Sequence, residues 1–344
     1  VDHDLLLSYM EAQDGQILEE GITEAGALAS FTAAATSYAT RGVPMVPFYT
    51  FYSMFGFQRV GDAIWALADM RGRGFLLGAT AGRTTLMGEG LQHQDGHSLL
   101  MASTVPSCRA YDPSFAFELG TIIEDGLQQM YEQNEDVFYY LTIYNENYLQ
   151  PALHPSYSKE DLIKGLYKFK SASDNHKHQA TILFSGTACG AAARAAEMLA
   201  AQYDVGVDLW SATSYKALRE DALSTERNNF LKPDDADGIS FVASQLEQSE
   251  GPIVAITDYM TLVPDQIARW VPRDYTCLGT DGFGRSDTRE KLRQHFEVTA
   301  EHLVMTVLSR LAIAGELSHS ERDKAIQQFQ LPTNLADPWS AIFY

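Results

Sequence analysis

The fold class of this sequence is decided by the segment Val137-Phe138-Tyr139-Tyr140-Leu141-Thr142-Ile143-Tyr144. Its β-branched and aromatic residues predict a strand. The residues before it predict an amphipathic helix, because apolar side chains recur there at helical spacing. They are Leu119, Ile122, Ile123, Leu127 and Met130. A helix followed by a strand is the repeating unit of an α/β protein.

The same alternation recurs on both sides of this segment. Upstream, Val60, Ile64, Leu67 and Ala68 predict a helix and Phe75-Leu76-Leu77 predicts a short buried strand. Downstream, the predicted strands are Thr181–Phe184, Val207–Trp210 and Ile253–Ile256, with an Ala-rich helix to about Tyr203 and a last long helix at Leu303–Leu311. The pattern predicts mostly parallel sheets covered by helices on both faces.

Length and composition favour two domains. The chain has 344 residues, 45% of them apolar, which is enough to bury two cores. Between Gln150 and His178 the periodic pattern gives way to Pro151, Pro155 and Ser156 and to a polar stretch around Asp174. We therefore predict a first domain at 1–150, a linker at 151–178 and a second domain with a smaller sheet at 179–344.

The charge balance argues against two classes of partner. Asp and Glu number 45 against 25 Lys and Arg, which gives a net charge of −20. Because binding to nucleic acid or to an anionic membrane gains affinity from Lys and Arg, neither partner is expected. No run of eighteen apolar residues predicts a membrane span, and residues 1–7 lack the basic region of a signal peptide.

The cysteine pattern indicates a reducing compartment. Cys108, Cys189 and Cys277 lie far apart, with neither the spacing of a zinc site nor that of a disulfide framework. Each is expected to be a small buried apolar residue. Together with the absence of a predicted leader, this favours a cytoplasmic protein.

The most informative motif is Gly88-Glu89-Gly90-Leu91-Gln92-His93-Gln94-Asp95-Gly96-His97. Glycines allow close approach of a ligand and histidine exchanges a proton near neutral pH, so the stretch predicts an active-site loop. A zinc site on His93 and His97 and a purely structural loop are the alternatives. Gly279–Gly284 is rich in glycine but lacks the lysine of a phosphate-binding loop.

Two further stretches stand out near the amino terminus. Gly15–Glu24 holds three carboxylates around Gly21, a composition that on its own indicates a solvated face. Pro47–Phe57 contains six aromatic residues in eleven positions. They are either core residues or an aromatic wall for a planar heterocycle.

Taken together, these motifs resemble a known family. Gly21-Ile22-Thr23-Glu24, the block Pro47–Arg59, Thr84–His97, Tyr144–Tyr148 and Gly279–Asp287 occur in the order and form typical of the homodimeric-type pyruvate dehydrogenase decarboxylating component. This is a thiamine diphosphate enzyme of the transketolase superfamily. The resemblance runs from about Gly15 to about Thr299, and it implies that the two domains are a partial pyrimidine-binding domain and a carboxyl-terminal transketolase-like domain.

The resemblance also implies roles for individual residues. Glu24 would hydrogen-bond the aminopyrimidine of thiamine diphosphate and favour the tautomer that activates the cofactor. Tyr52 and Phe55 would line the pocket of the same ring, and His93 would exchange protons with the reacting carbonyl. The choice of His93 over His97 rests on the alignment with the family. The implied substrate is pyruvate, and the acetyl group would pass to lipoyl groups of an acyltransferase.

One part of the family pattern is missing. The Gly-Asp-Gly motif that holds Mg²⁺ and the diphosphate does not occur in this sequence, so the metal ligands are expected outside the chain. The chain also begins close to Glu24, and we expect it to be the carboxyl-terminal part of the enzyme. It would then need a second copy or a diphosphate-binding chain to complete its site. The alternative is a catalytically silent piece that serves dimerisation and assembly.

Overall fold

The computed structural model describes residues 12–152, 157–173, 175–232, 238–332, 334 and 336–340. Residues 1–7, where no leader is predicted, and Pro155, Ser156 and Asp174 of the predicted linker lie outside the described residues. The described residues form two sheets. No helix in the described ranges has the length and apolar character needed to cross a bilayer.

The first sheet is entirely parallel. Its strands, in the spatial order β1-β2-β4-β3, are β1 (Phe48–Tyr52), β2 (Phe75–Ala79), β3 (Cys108–Tyr111) and β4 (Phe138–Ile143). The strand predicted at 137–144 is thus confirmed as β4, and it lies between β2 and β3 with its side chains almost wholly buried. Tyr139 and Tyr140 are among the largest fully buried side chains.

Helices surround this sheet as the apolar periodicity predicts. They are α1 (Glu24–Ala35), α2 (Ser37–Thr40), α3 (Gly56–Asp69), α4 (Ser98–Ser103), α5 (Ala116–Leu127) and α6 (Lys159–Lys164). Helix α3 buries Val60, Ile64 and Leu67, the face predicted from the sequence. It packs on α1 and α4, whereas α5 packs on β4.

The second sheet has the order β5-β7-β6-β8-β9. Its strands are β5 (Tyr167–Lys170), β6 (His178–Phe184), β7 (Val205–Ser211), β8 (Ile253–Ile256) and β9 (Tyr275–Leu278). All run parallel except β5, which is antiparallel to β7. The accompanying helices are α7 (Cys189–Tyr203), α8 (Tyr215–Leu231), α9 (Phe241–Leu246), α10 (Leu262–Asp265), α11 (Arg289–His295), α12 (Ala300–Ile313) and α13 (His319–Phe329).

Two details of the predicted organisation are wrong. The second sheet is larger than the first, not smaller, because the four-residue strands β5 and β9 extend it at both edges. Strand β5 and helix α6 also lie inside the interval predicted to be linker. These elements are too short to show a period in the sequence, and β5 depends on its pairing with β7.

A buried polar junction joins the two halves. The Asp112 carboxylate, at the end of β3, accepts a hydrogen bond of 2.6 Å from the Ser185 hydroxyl, which follows β6. Glu118 on α5 accepts bonds of 2.7 Å from the hydroxyls of Ser211 and Tyr167. Both carboxyls are fully buried, and burial raises the pKa of each above its ordinary value.

The cysteines behave as expected. Cys108 and Cys189 are buried, Cys277 is partly buried, and all three are free. Burial raises the pKa of the Cys108 and Cys189 thiols to about 12. A thiol in that state is a packing group and not a nucleophile at neutral pH.

Candidate active site

Glu24 lies at the first position of α1. Thr23 adopts the extended conformation of an N-cap, and its hydroxyl accepts a hydrogen bond from the Gly26 N–H at 3.3 Å. The Glu24 carboxylate accepts a 2.8 Å bond from the Arg59 guanidinium, and its side chain is 19% exposed. Tyr49 packs beside it; burial and then the Glu24 charge raise the pKa of Tyr49 to about 12.

Two aromatic rings lie next to this ion pair. Strand β1 ends at Tyr52 and α3 begins at Gly56, so the intervening turn places Tyr52 and Phe55 together, with ring centroids 5.8 Å apart. The Arg59 guanidinium carbon lies 3.8 Å from the centre of the Phe55 ring. Arg59 therefore links the carboxylate of Glu24 to the aromatic turn.

His93 completes the group. Its ring centroid lies 5.2 Å from Phe55 and 5.7 Å from Tyr52. Its Nδ1 is 3.3 Å from a Glu89 carboxylate oxygen, although the angles do not make this a hydrogen bond. The structure thus brings together all four predicted site residues. We call them, with Arg59, the Glu24 cluster: Glu24, Tyr52, Phe55, Arg59 and His93.

The structure separates the two histidines of the motif. His93 ends a single 3₁₀ turn at Leu91–His93, whereas His97 precedes α4 and contacts the Gln58 side chain. Burial, followed by the nearby Arg83, lowers the pKa of His97, and Asp95 opposes that shift. No group of three or more possible metal-ligating side chains occurs in the part of the chain that the structure describes.

A loop from the second half holds the segment that carries His93. We call residues 86–97 the histidine loop and residues 279–287 the clamp loop. The buried Gln94 amide donates to the carbonyl oxygens of Leu86 and Arg285 at 2.9 and 2.7 Å, and its oxygen accepts the Arg285 N–H at 2.6 Å. The Gly88 N–H also donates to the Asp287 carbonyl at 3.3 Å. The clamp loop passes close to Gln94, and a Cβ added at Gly284 would clash with the Gln94 side chain.

A second anchor reinforces the first. The Arg83 guanidinium, buried beneath the histidine loop, donates to the carbonyl oxygens of Thr280 and Gly282. The carbonyl groups of the glycine-rich stretch 279–284 therefore accept hydrogen bonds from a side chain of the first half. Nothing in this geometry resembles a loop that wraps a phosphate.

Sequence reasoning missed three contributors to the site. Arg59 is four residues after Phe55, so helical spacing offered a weak signal for it. Glu89 lies within the motif Gly88–His97, but the sequence alone indicates no role for it. Gln94 gave no signal, because its partner Arg285 is 191 residues away in the sequence.

The fold defines a class. Transketolase from Leishmania mexicana superposes with a TM-score of 0.61 at 18% identity, over 84% of this chain and 37% of that one. A structure titled split gene transketolase, inactive beta4 tetramer, gives a TM-score of 0.59 at 16% identity over 82% of this chain and 81% of that one. The protein has the transketolase-like α/β fold that the resemblance implies.

Sequence comparison tests the same resemblance. Residues 1–151 match the pyruvate dehydrogenase E1 component middle domain, and residues 165–299 match the transketolase-like TK C-terminal domain. Pyruvate dehydrogenase E1 components from Mycobacterium tuberculosis and Escherichia coli K12 are 50% and 47% identical over 339 residues, each covering 98% of this chain. The resemblance to the pyruvate dehydrogenase E1 component is thereby confirmed. The chain spans only 36% and 38% of the length of these two relatives.

Proposed function

We propose that this chain supplies one half of a thiamine diphosphate site in a pyruvate dehydrogenase decarboxylating component. The observation that carries the proposal is the Glu24 cluster. Its members come from three separate segments, the start of α1, the turn between β1 and α3, and the histidine loop. Two aromatic rings and an imidazole lie in mutual contact, and Arg59 links them to the carboxylate of Glu24. Such a group suits a flat, polar-edged ring and a carbonyl substrate beside it.

Glu24 would bind the aminopyrimidine ring of the cofactor. Its carboxylate is held in position by the hydrogen bond from Arg59. There it would accept a hydrogen bond from a protonated nitrogen of the ring. Tyr52 and Phe55 offer aromatic surface to the same ring. The chemistry that thiamine diphosphate supplies when bound is an electron sink for the bond to the departing CO₂.

His93 would handle protons at the substrate. Its imidazole faces Tyr52 and Phe55, and Glu89 lies 3.3 Å from Nδ1. A histidine in this position can give a proton to the carbonyl oxygen of pyruvate and take one back during transfer of the acetyl group to a lipoyl acceptor. The hydrogen bonds of Gln94 to the clamp loop keep the histidine loop, and with it His93, in this place.

The remaining half of the site lies outside this chain in our proposal. Mg²⁺ and the diphosphate need the Gly-Asp-Gly motif, which this sequence lacks. The completed enzyme would convert pyruvate to CO₂ and pass the acetyl group to the lipoyl acyltransferase of a multienzyme complex. The domain bounds, 1–150, 151–178 for the linker and 179–344, stay a prediction. The pairing of β5 with β7 favours a second domain that begins nearer to Tyr167.

The surface beside the Glu24 cluster supports a partner chain. Strand β1 is at the edge of its sheet, and Phe48 and Tyr52 on it are 48% and 44% exposed. Ile17, Leu18 and Ile22, which precede Glu24, are still more exposed. An apolar surface of this kind is typical of an interface, so a second copy or a diphosphate-binding chain is expected to cover it.

The test compares two variants in the complete enzyme. Glu24→Gln keeps the side-chain size but removes the carboxylate, and it should slow proton exchange at the reactive carbon of thiamine diphosphate by about 10²–10⁴-fold, or about 3–5 kcal/mol. His93→Ala should leave that exchange near normal and impair pyruvate turnover instead.

Glu132→Gln is the matched control, because Glu132 is exposed and lies before β4, at the opposite end of the first sheet from the cluster. It should change neither rate. Equal exchange rates in wild type and Glu24→Gln would remove Glu24 from its proposed role. The similarity to the family would then be architectural only, and the assembly role would be the better hypothesis.

A further inference from the structure

A cavity of about 810 Å³ opens beside the carboxyl edge of the second sheet, and no member of the Glu24 cluster lines it. Strand β6 pairs with β7 on one side and β8 on the other, so the chain order reverses at β6. The segments that follow β6 and β8 both line the cavity, through Thr187 and Asp258. In open parallel sheets, small molecules bind in the crevice at this topological switch point.

Two helices begin at the cavity. Helix α7 starts at Cys189, runs for 15 residues and continues a 3₁₀ turn at Gly186–Ala188, and neither of the two has a side-chain cap. Helix α12 starts at Ala300, and its N-cap Thr299 lines the same cavity. The free N–H groups and the dipole of a helix amino terminus favour an anion.

A buried hydroxyl supplies an independent sign of a ligand. Thr187 lines the cavity directly before α7 and is only 7% exposed. Its hydroxyl has no hydrogen-bond partner among the residues that the structure describes. Buried polar groups are nearly always paired, so this hydroxyl calls for a partner that the described residues do not supply.

The other walls define what kind of anion fits. The carboxylates of the lining are largely engaged: Glu301 pairs with Arg194 at 3.0 Å, Glu146 pairs with Arg293, and Asp258 accepts the Thr84 N–H. Apolar surface comes from the side chains of Phe115, Phe169 and Phe329. The cavity thus offers a polar end at α7 and an apolar wall for the body of the ligand.

We propose that this cavity binds a phosphate monoester with a planar or apolar body. The phosphate oxygens accept from the first-turn N–H groups of α7 and from the Thr187 hydroxyl, with Arg194 beside them. The body packs on the phenylalanine side chains. The site is separate from the Glu24 cluster and does not depend on the role proposed for that cluster.

The test is calorimetric titration of the chain with adenosine monophosphate, which carries one phosphate and a planar body. Adenosine and inorganic phosphate serve as half-probes, and each should bind about tenfold more weakly than the whole molecule. Thr187→Val removes the unpaired hydroxyl at constant shape. It should weaken binding about threefold to tenfold without lowering the melting temperature.

A matched pair of variants locates the site. A Cβ added at Gly190, in the first turn of α7, or at Gly120, on α5 away from the cavity lining, meets no atom within 4 Å. Gly190→Asp should weaken binding of adenosine monophosphate about tenfold or more, whereas Gly120→Asp should leave it unchanged. No saturable binding of either adenosine monophosphate or phosphate at millimolar concentrations overturns the proposal. Equal affinity of wild type and Gly190→Asp overturns it as well.

Discussion

Replacing Gln94 by methionine should loosen the histidine loop from the second half of the protein. The Gln94 side chain makes three hydrogen bonds, of 2.9, 2.7 and 2.6 Å, to backbone groups of Leu86 and Arg285. Each is worth about 1 kcal/mol, and a partner left unsatisfied in a buried place costs about 1–3 kcal/mol. Methionine has similar length and adapts to irregular space, so the loss of packing is small.

The expected cost is therefore about 3 kcal/mol in the free energy of unfolding. Urea unfolding, followed by circular dichroism, measures that loss. Hydrogen exchange with mass spectrometry gives the location of the effect, since residues 86–97 and 279–287 should exchange faster while β4 is unchanged.

Gln133→Met is the matched control. The Gln133 side chain is exposed and makes no hydrogen bond within the described part of the chain, so its replacement should change stability by less than about 0.5 kcal/mol. If Gln94→Met matched this control in both stability and exchange, the hydrogen bonds of Gln94 would not stabilise the protein and the reasoning would be refuted.

Three further predictions follow from the fold and the proposed site. Burial raises the pKa of Asp258 to about 7, so its ionisation opposes folding: the stability it contributes is complete below its unfolded pKa near 4 and is lost as the pH rises to about 7. In Asp258→Asn the free energy of unfolding should fall less steeply between these pH values. The slope should change by up to about 1.4 kcal/mol per pH unit, which corresponds to one proton. An unchanged slope in urea unfolding measured across this pH range would contradict the prediction. Analytical ultracentrifugation at micromolar concentration should show a dimer or larger assembly; a stable monomer of 38.1 kDa would count against the shared site. Calorimetry should show that the isolated chain binds thiamine diphosphate and Mg²⁺ weakly or not at all, and tight binding would mean that the metal ligands lie within it.

Much of the fold could be predicted because its inner strands are long apolar runs. Apolar runs predict five of the strands, β2, β4, β6, β7 and β8. The spacing of apolar residues predicts the buried face of α3. Strands β3, β5 and β9 lie at the edges of their sheets and mix polar with apolar residues, so they show no apolar run and depend on their partners across the sheet. In the sequence, strand β1 is visible only as a cluster of aromatic residues, because some of its side chains are exposed to solvent.

The site divides in a similar way. Glu24, Tyr52, Phe55 and His93 could be named from the family resemblance, yet spacing alone offered His93 and His97 as equals. Only the folded chain shows that the His93 ring meets Tyr52 and Phe55. Contacts such as the one between Gln94 and Arg285 join distant segments, and no local pattern encodes them.

The junction at Asp112 and Glu118 changes what the word domain means for this protein. Each carboxyl belongs to the first half, but the second half provides some of its hydrogen-bond donors, Ser185 for Asp112 and Ser211 for Glu118. A cut in the chain between the two sheets would remove these donors and leave both carboxyls of the first half with fewer hydrogen bonds. The two sheets are thus separate in topology, but their stabilities are coupled through these hydrogen bonds. We therefore expect the two sheets, with their helices, to unfold together in one cooperative transition.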